Sequence, residues 1–260
     1  MEPRGRLPAP GAELPQRQES GIRRPREICH QGETGELNIA GLQKTSTVDF
    51  PGLLSAVLFT VGCNYNCFYC HNRYLLKGAP LLDSGAIFAF LEKRAAMLDG
   101  VVVSGGEPTL QNDLPEFFAY VKQLGYRTKL DTNGSSPKAI DRLLKESLLD
   151  YAALDYKAPF SKYEALCGQP GDDAQRTAEL LLHSGIRFEM RTTMIPQITP
   201  DNLAEMARAL PPLPSYVLQL YRPQPGDIRH TGSMQPYTPS EIAALADTIR
   251  EWQPYVTVRG

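Results

Sequence analysis

From Ile39 onward the chain alternates, six times over, between a short apolar or β-branched run and a longer segment of helical period. The spacing predicts strands at Ser55–Thr60, Val101–Ser104, Arg127–Leu130, Tyr151–Asp155, Phe188–Thr193 and Tyr216–Tyr221. The helices between them carry their own end signals. Ser84 is expected to cap a helix running through Met97, with Ile87, Phe90, Leu91 and Met97 on one face. Asp113 is expected to cap a second that stops at Gly125, and Pro137 to open a third. A fourth runs from about Asp172 to Gly185. Pro200 opens a fifth, and Thr238-Pro239 a sixth bearing Ile242, Leu245 and Ile249. Strict alternation of this kind calls for parallel strands with the helices outside, because each parallel return needs a crossover. Six units are two short of a full eight-fold barrel. The expected fold is therefore α/β, a partial (β/α)6 TIM-like barrel of parallel strands with outer helices; a flat doubly wound sheet is the runner-up.

Composition removes several classes. The chain has 260 residues, enough for one large domain or two small ones. It holds 27 Lys plus Arg against 29 Asp plus Glu, a formal charge of −2, so nothing draws it electrostatically to nucleic acid or an anionic membrane. The longest nearly apolar run, Leu53–Val61, is too short to cross a bilayer and contains Ser55 and Thr60. No apolar segment near Met1 resembles a secretory signal, and five cysteines are too few for a disulfide-stapled mini-fold. A cytoplasmic protein without membrane or nucleic-acid partners is expected. Residues 1–36 differ from the rest: five Pro, five Gly, six Arg, six Glu and no aromatic residue. Such a segment buries too little apolar surface to offset its ordering entropy, so a disordered tail is expected there, with the folded domain over 37–260. The acids in the tail argue against a transit peptide despite Arg23, Arg24 and Arg26.

In parallel α/β folds, functional groups collect at the carboxyl ends of the strands. Every strand end here carries something unusual. The first is followed by Gly62-Cys63-Asn64-Tyr65-Asn66-Cys67-Phe68-Tyr69-Cys70-His71-Asn72, the second by Gly105-Gly106-Glu107-Pro108, and the third by Asp131-Thr132-Asn133-Gly134. The fourth ends in Asp155-Tyr156-Lys157, the fifth holds Arg191 to Pro196, and the sixth holds Gln219 to Pro223. Thiolates at intervals of four and three residues on one loop converge on a soft metal centre. A zinc site using Cys63, Cys67, Cys70 and His71 would need adjacent ligands, which suit tetrahedral zinc poorly, and it lacks a second Cys/His cluster. A Cys67–Cys70 redox disulfide would leave Cys63 idle. An iron–sulfur cubane on three cysteines, with one iron open to a ligand, is the favoured reading.

These residues carry a resemblance. Cys63-x3-Cys67-x2-Cys70 with Tyr69 before the last cysteine resembles the signature of radical S-adenosylmethionine (SAM) enzymes, and Gly105-Gly106-Glu107-Pro108 resembles their methionine-amine motif. Gln43 to Gly52, Cys70-His71-Asn72, Asp131 to Gly134 and Arg191 to Pro196 are similar to the anaerobic ribonucleoside-triphosphate reductase activating proteins, relatives of the pyruvate formate-lyase activating enzymes. The resemblance covers Ile39 to Gly260 and makes 37–260 a radical SAM domain. It implies a [4Fe–4S] cluster on Cys63, Cys67 and Cys70 whose open iron chelates the amine and carboxylate of SAM. Cleavage of SAM by one electron would give methionine and a 5′-deoxyadenosyl radical, which removes hydrogen from a backbone glycine of a partner, here an anaerobic ribonucleotide reductase. The cofactor does the hard step, so no conventional catalytic side chain is expected.

On this reading Glu107 accepts a hydrogen bond from the methionine ammonium, while Gly105 and Gly106 permit close backbone approach. Tyr69 lies near the adenine, Asp131 and Asn133 face the ribose or methionine, and Lys157 or Arg191 meets the SAM carboxylate. Asp131, Thr132 and Asp155 are implied as ligands of a monovalent cation. His71 is expected to donate a hydrogen bond near the cluster rather than ligate iron. Cys29 falls in the tail and Cys167 reads as a buried apolar thiol. Many activators of the pyruvate formate-lyase type carry an inserted ferredoxin-like cysteine run. Its absence here implies a single cluster and an external one-electron donor such as flavodoxin or ferredoxin. The alternatives are a radical SAM enzyme acting on a small heterocycle or RNA base and, from another class, a non-catalytic metal-stabilised binding domain.

Overall fold

Val101, Val102 and Val103 are consecutive and all fully buried, as in a parallel strand covered on both faces. They lie in a computed structural model that describes residues 35–223 and 228–260. Its strands run β1 (Ile39–Ser46), β2 (Ser55–Thr60), β3 (Gly100–Gly105), β4 (Arg127–Thr132), β5 (Tyr151–Asp155), β6 (Arg187–Met194), β7 (Tyr216–Leu220) and β8 (Val256–Arg259). They form one sheet in sequence order from β1 to β8. Every neighbour from β2 to β8 is parallel, and β1 folds back antiparallel on β2. The sheet does not close, since β1 and β8 are its two edges. The six expected strands are present in the expected parallel order, as a partial barrel. Sequence pattern missed β1 and β8, and the antiparallel β1 departs from the all-parallel expectation.

The helices are α1 (Ser84–Arg94), α2 (Leu114–Gln123), α3 (Pro137–Lys145), α4 (Tyr163–Cys167), α5 (Asp172–His183), α6 (Pro200–Arg208), α7 (Ile228–Thr231) and α8 (Pro239–Ile249). Two expected caps need correction. Asp83, not Ser84, caps α1, its carboxylate accepting from the Ala86 N–H at 2.7 Å, and the helix ends at Arg94 rather than Met97. Asp113 stands at the N-cap of α2 but makes no side-chain capping bond there. At α8 Thr238 and Glu241 form a reciprocal capping box. The short α4 and α7 had no signal in the sequence pattern.

The two faces of the sheet are unequal. The outer face carries the main core, with Leu58, Val103, Leu130, Leu154, Met190 and Leu218 packed against helix residues such as Leu91, Phe118, Leu143 and Leu181. The inner face holds only a small apolar cluster, Phe50, Val57, Val102 and Tyr151. Phe50 arrives from the β1–β2 loop and plugs this inner face. Above the plug the inward positions include Ser104, Asp131, Asp155, Arg191 and Gln219, and that is where the site lies.

The folded unit begins at Gly35. A Cβ on Gly35 would stand 2.7 Å from the Phe117 nitrogen, so the chain is already packed against α2 two residues ahead of the boundary expected at 37. The rest of the tail expected over 1–36, including Cys29, lies outside the described residues. No helix among the described residues is long and apolar enough to cross a membrane.

Candidate cofactor cavity at the carboxyl rim

The loop after β2 is tied down along its length. Gly62 N–H donates to Leu75 O at 2.9 Å and Asn66 N–H to Cys167 O at 2.9 Å, while Arg73 reaches Cys67 O at 2.6 Å and Asn66 Oδ1 at 2.9 Å. The loop therefore presents Cys63, Cys67 and Cys70 on one wall of a cavity of about 280 Å³. Tyr69, Gly105, Gly106, Glu107, Asp131, Asn133, Lys157 and Arg191 line the same cavity, so every site residue expected from the sequence is gathered in it. His71 is exposed at its edge.

Three thiols without a carboxylate among them form a soft donor set, which suits iron–sulfur chemistry. Among the described residues, no three Cys, His, Asp or Glu side chains converge on a single metal-ion position. The three thiols line one cavity, the arrangement that a cluster held by a single loop requires. Burial pushes the Cys63 thiol up to about 11, against the opposing Tyr65 N–H, and it raises Cys70 as well. Cys67 moves the other way, because Cys167 hydrogen-bonds it and Lys157 adds positive charge nearby. Cys167 is fully buried, as expected of an apolar thiol. Its contact with Cys67 was not foreseen, and nothing at a separation of a hundred positions could have signalled it.

Gly105 and Gly106 are needed for a further reason that the sequence did not signal. A Cβ on Gly105, which has φ +119°, would stand 2.3 Å from Thr60 N, and one on Gly106 would stand 1.9 Å from Gly62 O. The close approach they allow is of the end of β3 to the root of the cysteine loop. Gly106 N–H donates to Thr60 O at 2.9 Å and Glu107 N–H to Gly62 O at 2.8 Å.

Glu107 also departs from expectation. Its carboxylate is fully buried, and the chain itself fills it. Oε1 accepts from Thr109 N–H at 3.1 Å, Thr109 Oγ1 at 2.6 Å and Thr132 Oγ1 at 2.8 Å; Oε2 accepts from Asn133 N–H at 2.7 Å. Burial raises its pKa against the pull of these donors. The side chain is a brace joining the β3 and β4 loops. Asn133 extends the brace, its Nδ2 donating to Asn64 Oδ1 at 3.0 Å and to Cys63 Sγ at 3.7 Å.

Opposite the thiols lies a charged group. Asp131 Oδ1 meets Lys129 Nζ at 2.5 Å, and its Oδ2 meets Arg191 at 3.4 Å. Asp155 Oδ1 takes Arg191 Nε at 3.0 Å and Nη2 at 2.8 Å, and Oδ2 takes Lys157 Nζ at 3.1 Å. Although burial pushes the Asp155 carboxyl upward, Lys157 and Arg191 together bring it down to about 2. Thr132 Oγ1 donates to Glu107 and accepts from Gly134 N–H at 3.0 Å. All three expected ligands of a monovalent cation are thus engaged by groups of the chain. In this arrangement the chain's own cations and donors occupy the positions that a monovalent cation would take. Lys129 was missed, although a lysine two positions before Asp131 on a strand must share its face.

Tyr65 was also overlooked. It lines the cavity beside Cys63, its hydroxyl is buried without a hydrogen-bond partner, and its ring meets Tyr163 edge-on at 6.3 Å.

Comparison with known proteins agrees with this geometry. The sequence matches the Radical SAM superfamily over residues 57–210. It is 30% identical over 230 residues to a protein of Methanocaldococcus jannaschii named as a candidate glycyl-radical enzyme activating enzyme, covering 85% of this chain and 95% of that one. It is 32% identical over 178 residues to the pyruvate formate-lyase-activating enzyme of Staphylococcus aureus (strain USA300), covering 63% of this chain and 70% of that one. Among solved structures it is similar in fold to Streptococcus suis SuiB bound to S-adenosylmethionine, with a TM-score of 0.61 and 16% identity. That match covers 77% of this chain and 48% of SuiB, so this chain spans about half the length of that protein.

Proposed function

Since this chain belongs to the radical SAM superfamily and to its branch of glycyl-radical enzyme activating enzymes, we propose that the enzyme it activates is an anaerobic ribonucleoside-triphosphate reductase. Cys63, Cys67 and Cys70 would hold the [4Fe–4S] cluster, which when bound would supply the one-electron reduction of SAM on which hydrogen abstraction from a backbone glycine of the partner depends. The remaining work falls to the cavity walls. Gly105 and Gly106 bring backbone carbonyls to the methionine ammonium, in the place first expected of the Glu107 side chain. Lys157 and Arg191 present positive charge to the methionine carboxylate, and Asn133 and Asp131 offer polar contacts to the ribose or methionine. Tyr69, buried against Phe68 at 5.2 Å between ring centroids, supplies an aromatic wall for the adenine. Glu107 holds the glycine segment and Asn133 in register with each other.

The observation that carries this reading is the single cavity that brings three thiols of one loop together with the glycine pair and the charged group. The reductase as partner is supported by the segments Gln43 to Gly52, Cys70 to Asn72, Asp131 to Gly134 and Arg191 to Pro196. Beyond the three loop cysteines the described residues hold only Cys167, which supports a single cluster fed by an external donor such as flavodoxin or ferredoxin. The test is to reconstitute the protein anaerobically, reduce it with SAM present, and mix it in parallel with an anaerobic ribonucleotide reductase and a pyruvate formate-lyase-type enzyme from the same genome. The expected result is a glycyl-radical electron paramagnetic resonance doublet on the reductase alone. A doublet confined to the other enzyme would overturn the assignment of partner while leaving the activase chemistry intact.

A further inference from the structure

We propose that Lys129 is the resident cation of this site: its buried ammonium does the work of a monovalent metal ion at the Asp131 carboxylate, so SAM binding needs no such ion. The inference rests on the reading that this cavity binds SAM. Its starting point is a lysine where a strand of this kind ordinarily carries an apolar residue. Lys129 sits in β4 with only 1% of its surface exposed, paired with Val102 of β3 on one side and Tyr151 of β5 on the other. Its stem crosses the small inner apolar cluster, and its ammonium stands 5.8 Å from the centre of the Tyr151 ring. A buried ammonium is costly unless paired, and this one is paired from below with Asp131.

Charge balance gives the placement its meaning. Lys129, Lys157 and Arg191 face Asp131 and Asp155, and the neighbouring Glu189 is neutralised by Arg259, so the group carries three positive charges against two negative. A metal ion added there would enter a poorly solvated group that is already positive, and would have to displace an ammonium or guanidinium from each carboxylate. The hydroxyl of Thr132, the remaining oxygen ligand that the resemblance implied, is turned to Glu107 and Gly134. An ammonium carries the same single charge as a monovalent metal ion, but a covalent stem fixes it in place. Lys129 therefore acts as a positioning residue. It holds Asp131 in place and leaves Arg191 and Lys157 their surplus charge for an anionic ligand group.

The experiment compares wild type, Lys129→Met and Lys129→Arg, each reconstituted anaerobically. Two quantities are read in potassium, sodium and choline chloride at matched ionic strength: SAM affinity by equilibrium dialysis, and the thermal midpoint without SAM. Wild type and Lys129→Arg are expected to show the same values in all three salts. Lys129→Met removes a charge-assisted contact, so its SAM affinity in choline should fall by about ten- to a hundredfold. Potassium or sodium should restore much of that affinity and raise the midpoint in a saturable way. A wild type whose SAM affinity depends on potassium would overturn the proposal, as would a folded Lys129→Met that shows no response to either metal ion. If Lys129→Met does not fold, the salt independence of wild type and Lys129→Arg decides the matter. Absence of SAM binding by wild type in every salt would instead overturn the cavity reading, and the midpoint series would still report on the cation.

Discussion

Replacing Glu107 with Gln separates two employments for this carboxylate, bracing the chain or holding the ligand. The substitution keeps the shape but allows oxygen at only one of the two terminal positions. Oxygen kept at the Oε1 position preserves the bonds from Thr109 and Thr132, and the new amide then faces the Asn133 N–H, now 2.7 Å from Oε2. Two donors would oppose each other in a fully buried spot. A hydrogen bond to a charged group contributes about 1.5–3 kcal/mol, and a buried donor left unsatisfied costs about 1–3 kcal/mol. Relief from burying a charge, visible in the raised pKa of Glu107, offsets part of this. A net loss of about 2–4 kcal/mol is expected. For a domain of this size that lowers the melting temperature by roughly 4–16 °C, at about 2–4 °C per kcal/mol. Urea unfolding of the anaerobic protein without SAM measures the loss directly, and SAM titration of the reconstituted protein measures the ligand term. Unchanged stability together with a SAM affinity reduced by about tenfold or more would refute the bracing argument and return the carboxylate to the methionine ammonium.

Three further outcomes follow from the same geometry. Alanine at Cys63, Cys67 or Cys70 should abolish most bound iron and sulfide after anaerobic reconstitution, while Cys167→Ala keeps them; full cluster content in any loop variant would contradict the ligand assignment. Gly106→Ala, whose new Cβ would stand 1.9 Å from Gly62 O, should cost about 3 kcal/mol or more and lower cluster content with it; wild-type urea unfolding would show that the β2 and β3 ends separate freely. Asp155, held at about 2 in the folded chain, contributes stability that is present above its ordinary value of 3.8 and is lost as pH falls toward 2. The stability gap between wild type and Asp155→Asn should therefore be constant above about pH 5 and narrow below pH 4, as unfolding midpoints across that range would report.

The sequence made the core strands legible because β2, β3 and β5 are nearly continuous apolar or β-branched runs and the more polar β4 and β6 keep apolar residues at alternate positions, and the parallel order followed from the crossovers. The edge strands were not legible for local reasons. β1 reads Ile-Ala-Gly-Leu-Gln-Lys-Thr-Ser, with Gly41 and a polar second half, and β8 is four residues long with Val256 alone buried. An edge strand has one neighbour and less need of apolar residues. The site was legible as a set of residues, since topology brings strand ends to one rim. The wiring among them was not. Thr132 and Asn133 reach Glu107 across 25 and 26 positions of sequence, and they do so only because β3 and β4 pair with Val103 opposite Leu130. For the same reason Lys129 stood unremarked: its partner was visible beside it, but its burial depended on β5 and on Phe50.

The alternation within β4 places opposite kinds of side chain one residue apart. Leu130, fully buried in the outer core, stands between Lys129 and Asp131 on the inner face. Sliding β4 by one residue against β3 would drive an ammonium and a carboxylate among the helices and turn Leu130 toward the thiols. Such a mispaired strand loses its core and strands two charges at once. A strand that carries its charges on one face is for that reason less free to pair wrongly, and correct assembly of the sheet during folding is favoured by the very residues that serve the cavity.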